Sequence, residues 1–144
     1  MTDALATQIR GSEKLTSIFG CWPSFHDGYL RRVGFVPGGD LQMAFEIHEL
    51  TNQTETNGHY ILTKHTRTTL RFGECESLHI ESGFAGCIVF ELELKPTLLE
   101  IRKKSGWAVK LGSSTDFELK LKCATIEVVE AEPKLNEPSI KQQP

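Results

Sequence analysis

The residues best placed to do chemistry form one short run, in which two large aromatic side chains stand beside a histidine and an aspartate. It reads Trp22-Pro23-Ser24-Phe25-His26-Asp27 and is followed by Gly28. Pro23 favours an extended conformation before it and Asp-Gly favours a turn, so the run is predicted to be a rigid link. The rings could anchor a binding partner, with the imidazole and the carboxylate as a polar pair. The candidate binding residues are therefore Trp22, Phe25, His26 and Asp27.

The same run can instead be a structural element. In that case its aromatic rings close one end of the core, and His26 and Asp27 hydrogen-bond backbone groups that would otherwise lack partners. A third interpretation makes Cys21 or Ser24 a nucleophile activated by His26. The chain contains neither a nucleophile elbow nor a second catalytic cluster, so no catalytic residue is predicted and the protein is expected not to be an enzyme. Recognition and structural support remain the two open roles, and structural support is the commoner one.

Histidines and cysteines provide no metal-binding pattern. His59 and His65 are six residues apart in one predicted strand, which separates them by about 20 Å, too far for one ion to bridge. His48 and His79 fall on the polar faces of their strands. The cysteines lack the short spacing of a zinc knuckle or a redox pair and are expected to be reduced thiols. They are Cys21, Cys75, Cys87 and Cys123. No metal and no cofactor is predicted.

A second candidate surface is a basic stripe. His65, Arg67 and Arg71 share strand parity, so they would present positive charge on one sheet face, where an acidic protein surface or an anion could bind. A solvated outer face is the commoner explanation of such a pattern. Glu91 and Glu93 offer the opposite possibility, an acidic surface that would mimic phosphates if the partner were a nuclease.

Composition and charge restrict the class of protein. The chain has 144 residues, a formal net charge of −3 and a hydrophobic fraction of 39%, values typical of one globular domain. A net negative charge gives the protein no overall basic field that would attract nucleic acid, so no nucleic-acid partner is predicted. The first ten residues do not resemble a secretory signal, and no apolar segment has the length of a membrane span. A cytoplasmic location and no membrane partner are therefore expected.

The elements that would position these residues are predicted from periodicity. Ser12 can cap a short helix in which Leu15, Ile18 and Phe19 share a face, and Gly20 can end it. A weaker turn is predicted over residues 4–9. From residue 29 onward the period becomes that of strands. The predicted strands cover residues 29–36, 41–50, 60–72, 77–81, 87–94, 98–103, 107–111 and 116–129.

These strands are separated mostly by turn signals, which favours antiparallel pairing. Pro96 is expected to end the strand before it, and Lys104-Ser105-Gly106 is expected to form a hairpin turn. In the last predicted strand the apolar residues occupy odd-numbered positions up to Cys123 and even-numbered positions after it, which predicts a bulge or a bend near Cys123. The predicted fold is mainly β (α+β), an antiparallel β-sandwich or partly open barrel of seven or eight strands with one short N-terminal helix. Residues 1–130 are expected to form one β-rich domain and residues 131–144 a flexible tail.

The run Phe19-Gly20-Cys21-Trp22-Pro23-Ser24-Phe25-His26-Asp27-Gly28 resembles the signature of the bacterial immunity protein 50 family. In that family a similar segment follows a short helix and leads into a strand. Later stretches are similar to the family's ladder of strands and to its closing strand. They are residues 69–72, 77–80, 84–92 and 117–129.

This resemblance implies a small cytosolic protein that binds and blocks a bacterial toxin made by its own or a sister cell. The protein would act by stoichiometric binding, with a cognate toxin as its partner, and the family offers no catalytic residues. The alternative is a small β-sandwich that binds a ligand or a metal near Trp22, His26 and Asp27. That alternative predicts a deep pocket beside those residues.

Overall fold

The computed structural model of the chain describes residues 1–54, 56, 58, 60–82, 87–114, 116–134 and 139–142. Within them lie two short helices, α1 (Asp3–Ala6) and α2 (Glu13–Phe19), and seven strands. The strands are β1 (Tyr29–Val36), β2 (Asp40–Thr54), β3 (Tyr60–Glu81), β4 (Val89–Leu99), β5 (Lys104–Ser113), β6 (Glu118–Pro133) and β7 (Ser139–Gln142). Neither described helix has the length and apolar character needed to cross a membrane.

Helix α2 confirms the predicted helix but not its predicted cap. Leu15 and Phe19 are buried, and Gly20 ends the helix in a left-handed conformation with φ 83°. The Gly20 N–H donates to the Thr16 carbonyl at 2.8 Å. Ser12 precedes the helix in helical geometry and its side chain makes no capping hydrogen bond, so the predicted Ser12 cap is wrong. The helix is instead stabilised by its buried face.

All seven described strands belong to one antiparallel sheet. The hydrogen-bonded order is β1-β2-β3-β6-β5-β4, and β7 pairs with the beginning of β3. The first and last strands of that order meet at an antiparallel bridge between Tyr29 and Ile88, so the sheet curls back on itself without forming a closed barrel. We call this contact the seam. The predicted mainly β, antiparallel fold is confirmed.

One hydrophobic cluster joins the inner face of the sheet to the N-terminal helical region. Apolar and polar residues alternate in the strand predicted over residues 41–50, and the burial expected from this pattern is confirmed, because four alternate apolar side chains of β2 are each at most 2% exposed. These are Leu41, Met43, Phe45 and Ile47. The side chains of Leu15 and Phe19 from α2 pack in the same cluster. The sheet and the helices therefore share a single core.

Strand β3 is longer than predicted. Separate strands were expected over residues 60–72 and 77–81, but one strand continues through the residues between them. Glu74 adopts φ 52°, and the register against β6 shifts between Cys75 and Ser77, so a bulge replaces the expected break. Strand β2 pairs with β3 only as far as Phe72, whereas β6 pairs with it as far as Glu81.

Strand β4 corrects three further expectations. Pro96 does not end it, because β4 lies at the edge of the sheet, where a missing N–H removes no ladder hydrogen bond. The hairpin turn consequently lies at residues 100–103, and Lys104 already belongs to β5. The register against β5 shifts at Phe90, which is 57% exposed, while the neighbouring Val89 is buried. The alternation of Ile88, Phe90, Leu92 and Leu94 with Glu91 and Glu93 predicts Phe90 on the apolar face, and this prediction is wrong.

The predicted division into a domain over residues 1–130 and a flexible tail over residues 131–144 stays a prediction. In the described part of that range, β6 continues to Pro133 and β7 pairs with β3. The Lys134 ammonium lies 3.3 Å from the Glu46 carboxylate.

Candidate functional site

Residues 22–27 lead from α2 into β1 and lie at the seam. The Asp27 N–H donates to the Val89 carbonyl at 2.8 Å, and the Val89 N–H donates to the Gly28 carbonyl at 2.8 Å. The Leu30 N–H donates to the Cys87 carbonyl at 3.1 Å. These backbone bonds join the beginning of β1 to the beginning of β4. Residues 22–27, hereafter the 22–27 segment, are therefore held in place where β1 and β4, the first and last strands of the sheet, meet.

The two aromatic side chains of the segment pack inward. Phe25 is 4% exposed, and its ring lies edge-on to the Phe45 ring with centroids 5.0 Å apart. The half-buried Trp22 ring lies 6.0 Å from that of Phe25. The backbone N–H of Trp22 donates to the Asp3 carboxylate at 3.2 Å, which ties the segment to α1. This geometry favours a structural role for both aromatic residues.

The imidazole of His26 fastens the segment to the edge of β4. Its Nδ1 lies 2.7 Å from the Phe90 carbonyl oxygen, and because a carbonyl can only accept, Nδ1 carries the proton. The His26 and Phe90 rings also meet edge to face, with centroids 5.6 Å apart. Nε2 lies 3.5 Å from the Asp27 carboxylate, a contact that is an ion pair only when the ring is protonated. His26 and Asp27 therefore lie side by side, and their role as a polar pair in recognition stays a prediction.

Cys21, Ser24 and His26, the residues of the nucleophile interpretation, line one pocket, and the hydrogen bonds of Ser24 and His26 are to the backbone. The Ser24 hydroxyl accepts from the backbone N–H of His26 at 3.1 Å, which ties this side chain to the backbone of its own segment. Burial raises the pKa of the Cys75 and Cys87 thiols, and that of Cys123 to about 12. These three thiols are therefore protonated at neutral pH, and a protonated thiol is a poor nucleophile and a poor metal ligand.

Two pockets flank the 22–27 segment, with volumes of about 370 Å³ and about 290 Å³. The larger one brings His26 and Asp27 together with three β2 residues that the sequence analysis did not select: His48, Glu49 and Leu50. Both pockets are partly open to solvent, unlike the deep pocket that the ligand-binding alternative predicts. Among the residues that the structure describes, no three His, Cys, Asp or Glu side chains are placed to share a metal ion.

The basic stripe lies on β3, and its two arginines face carboxylates. Arg71 contacts Asp40, with Nη2 at 2.6 Å and Nε at 2.8 Å from Oδ2. Arg67 lies 4.0 Å from Glu46, a carboxylate that also contacts other cations. The His65 ring lies 5.8 Å from that of His48. The stripe is therefore a mixed-charge surface, and its role in an interaction stays a prediction.

The Asp40 carboxylate should make stability depend on acid pH. It accepts from the Glu74 N–H at 3.0 Å, and this bond and the Arg71 guanidinium hold the pKa of Asp40 below its ordinary value. A carboxyl whose pKa is lower in the folded state stabilises the fold above its unfolded pKa of about 3.9, and this contribution is lost as pH falls through the folded pKa. We expect the Asp40→Asn variant to lose less stability than the unchanged chain between about pH 5 and about pH 2.

Urea midpoints across that range measure the difference. Glu46→Gln is the matched comparison. Hydrogen bonding to Arg31 and Lys134 lowers the pKa of Glu46 as well, so this variant should also lose less stability in acid than the unchanged chain. Identical pH profiles for Asp40→Asn and the unchanged chain would contradict the expectation.

Comparison with known proteins identifies one family. The family model described as immunity protein 50 matches residues 11–134, most of the chain. The matched range contains the 22–27 segment and strands β1 to β6. No curated protein and no solved structure matches the chain.

Proposed function

The chain belongs to the immunity protein 50 family, and from this we propose that it neutralises a bacterial toxin by binding to it directly. The observation that carries the proposal is the family match over residues 11–134. The proposal includes a cytoplasmic site of action, where an immunity protein would meet a toxin that has entered or been made in the cell. The cognate toxin is the only partner it requires.

The geometry of the 22–27 segment supports binding over turnover. Its chemically capable groups are engaged in holding the seam: Phe25 packs on Phe45, and His26 binds the Phe90 carbonyl. The Ser24 hydroxyl accepts from the backbone. A protein of this kind blocks its target by occupying it.

Co-expression with the product of the gene adjacent to the one that encodes this chain tests the proposal. We expect the two proteins to co-purify as a complex of fixed stoichiometry and cells that make both to survive. Protection should require at least equimolar amounts of this chain, because a binding protein neutralises one toxin molecule per site.

Two outcomes contradict the proposal. The first is protection by strongly substoichiometric amounts, which indicates turnover and thus an enzyme that modifies the toxin. The second is equal killing in the presence and absence of the chain, with no complex formed.

A further inference from the structure

Among the strands that the structure describes, residues 77–81 of β3, hereafter the open edge, pair with β6 alone. β6 pairs with them from Ser77 opposite Lys122 to Glu81 opposite Glu118. On the other side, pairing with β2 ends at Phe72, and no described strand takes its place. An antiparallel strand with one neighbour directs the N–H and C=O groups of alternate residues away from that neighbour. The open edge therefore presents backbone donors and acceptors to an incoming strand.

The apolar inner face of the sheet continues onto this edge. Leu78 lies opposite Leu121, and Ile80 lies opposite Leu119. The two β6 residues are buried, at 3% and 0% exposure, whereas Leu78 and Ile80 are 37% and 41% exposed. The difference arises because β1 and β2 do not extend far enough to cover the edge. An added strand would bury both side chains beside residues that are already in the core.

A pocket of about 600 Å³ lies at one end of the open edge, next to Asp40 and Leu41, the first residues of β2. Leu78 lines one side of it, and Phe35 and Val36, next to the β1–β2 turn, line the other. The Phe35 side chain is 79% exposed. A strand paired with the open edge would direct a terminal apolar side chain into this pocket.

The edge of β4 is constructed differently. Phe90 and Leu98 are exposed there, but they are interspersed with exposed charged residues and a proline, which hinder the addition of a further strand: Glu91, Lys95 and Pro96. The 22–27 segment also occupies its first residues through the bonds to Val89 and Phe90. The open edge of β3 has none of these protections along Leu78 and Ile80.

The charges at the far end of the open edge indicate what kind of strand would bind. Glu81 lies directly opposite Glu118, a like-charge pair that is unfavourable across strands. Glu118 has Lys120 at 3.2 Å, and Glu81 has the His79 ring at 3.2 Å, a partner that is charged only when protonated. Two carboxylates therefore meet at this end of the open edge, and the Lys120 ammonium contacts that of Glu118. A lysine or arginine on the incoming strand would reduce the repulsion between the two carboxylates.

We propose that the open edge binds an extended segment of the toxin by strand addition. Alternate apolar side chains of that segment pack on Leu78, Ile80 and the pocket beside Phe35, and a basic side chain faces Glu81. The identity of the partner rests on the proposed function, whereas the binding mode rests on the open edge itself.

Amide hydrogen exchange of the complex with the adjacent gene's product tests the binding mode. We expect the amides of residues 77–81 that exchange fast in the free chain to slow by at least about tenfold in the complex. A complex in which these amides are unchanged overturns the inference and leaves the proposed function standing. Amides already protected in a free chain that is dimeric also overturn it, because a second copy would then occupy the edge.

Two substitutions and a matched control sharpen the test. Leu78→Lys should weaken binding at least about tenfold, since it places a charge where an apolar side chain must pack. Glu81→Lys should weaken binding similarly while leaving the fold as stable or more stable, because a lysine opposite Glu118 replaces the like-charge pair. Leu98→Lys, on β4 at a position that is 67% exposed, should leave binding unchanged. Equal effects of Leu78→Lys and Leu98→Lys would overturn the inference.

A synthetic peptide separates this inference from the proposed function. If no complex with the adjacent product forms, a hexapeptide of alternating valine and lysine still tests the edge. It should shift the backbone amide resonances of residues 77–81, and the same peptide with alternate amides N-methylated should not, because the donors are lost. No shift with the unmodified peptide overturns the inference.

Discussion

Replacement of Phe25 by alanine is expected to lower the free energy of unfolding by about 3–5 kcal/mol, the usual cost of removing a buried aromatic side chain. Phe25 is 4% exposed and contacts the Phe45 and Trp22 rings. The substitution would leave a cavity where the 22–27 segment meets the core. Because a domain of this kind has a total stability of about 5–15 kcal/mol, the loss should be plain in chemical denaturation.

His26→Ala is the matched control for this prediction. His26 lies on the same segment but its side chain is 55% exposed, and its removal gives up the bond to the Phe90 carbonyl. The expected cost is about 1 kcal/mol, typical of one hydrogen bond. A Phe25→Ala cost as small as that of His26→Ala would show that the aromatic ring does not support the core. Loss of toxin binding in His26→Ala with the fold intact would instead assign the segment to recognition.

Replacement of Gly11 by alanine should destabilise the fold by about 2–4 kcal/mol, through two effects that add. Gly11 adopts φ 77°, a left-handed conformation that L residues rarely adopt. A Cβ at this position would lie 2.5 Å from the Val128 carbonyl oxygen. The chain approaches β6 closely here, because the Arg10 N–H donates to the Ile126 carbonyl and the Val128 N–H donates to the Arg10 carbonyl.

Gly20→Ala separates the two effects. Gly20 has a similar φ of 83°, but no atom lies within 4 Å of the position that its Cβ would take. Its substitution should therefore cost only the backbone term, about 1 kcal/mol. Urea denaturation of both variants measures the difference. Equal costs would mean that β6 moves aside and that the approach of Gly11 is not a fixed contact.

Local patterns in the sequence predicted much of the fold, because the side-chain period of a strand depends on the strand alone. The alternation of Leu41, Met43, Phe45 and Ile47 is an example. The parity change after Cys123 is another: Leu121 and Cys123 are buried, and so are Ile126 and Val128 in the opposite parity. Features that depend on neighbouring strands were missed. Pro96 is tolerated only because β4 is an edge strand, and strand order is a property of the whole sheet.

The candidate site was predictable in composition but not in its contacts. The types and spacing of Trp22, Phe25 and His26 indicate a rigid aromatic link, since proline and turn propensities act locally. Their contacts with Phe45 and Phe90 join residues distant in sequence, and no local signal encodes them. The pocket residues His48, Glu49 and Leu50 follow the β2 residues that pair with β1, and Tyr29 lies opposite Glu46, so the register of this strand pair brings them to the segment. Periodicity within one strand does not give that register.

The meeting of β1 and β4 at a single bridge also bears on the order in which the chain folds. Tyr29 and Ile88 lie far apart in sequence, so joining them early would cost much chain entropy. The β1–β2 and β4–β5 hairpins close at small entropic cost, and their assembly with β3 and β6 brings the two edges together. We therefore expect the hairpins to nucleate folding and the 22–27 segment to dock at a late step.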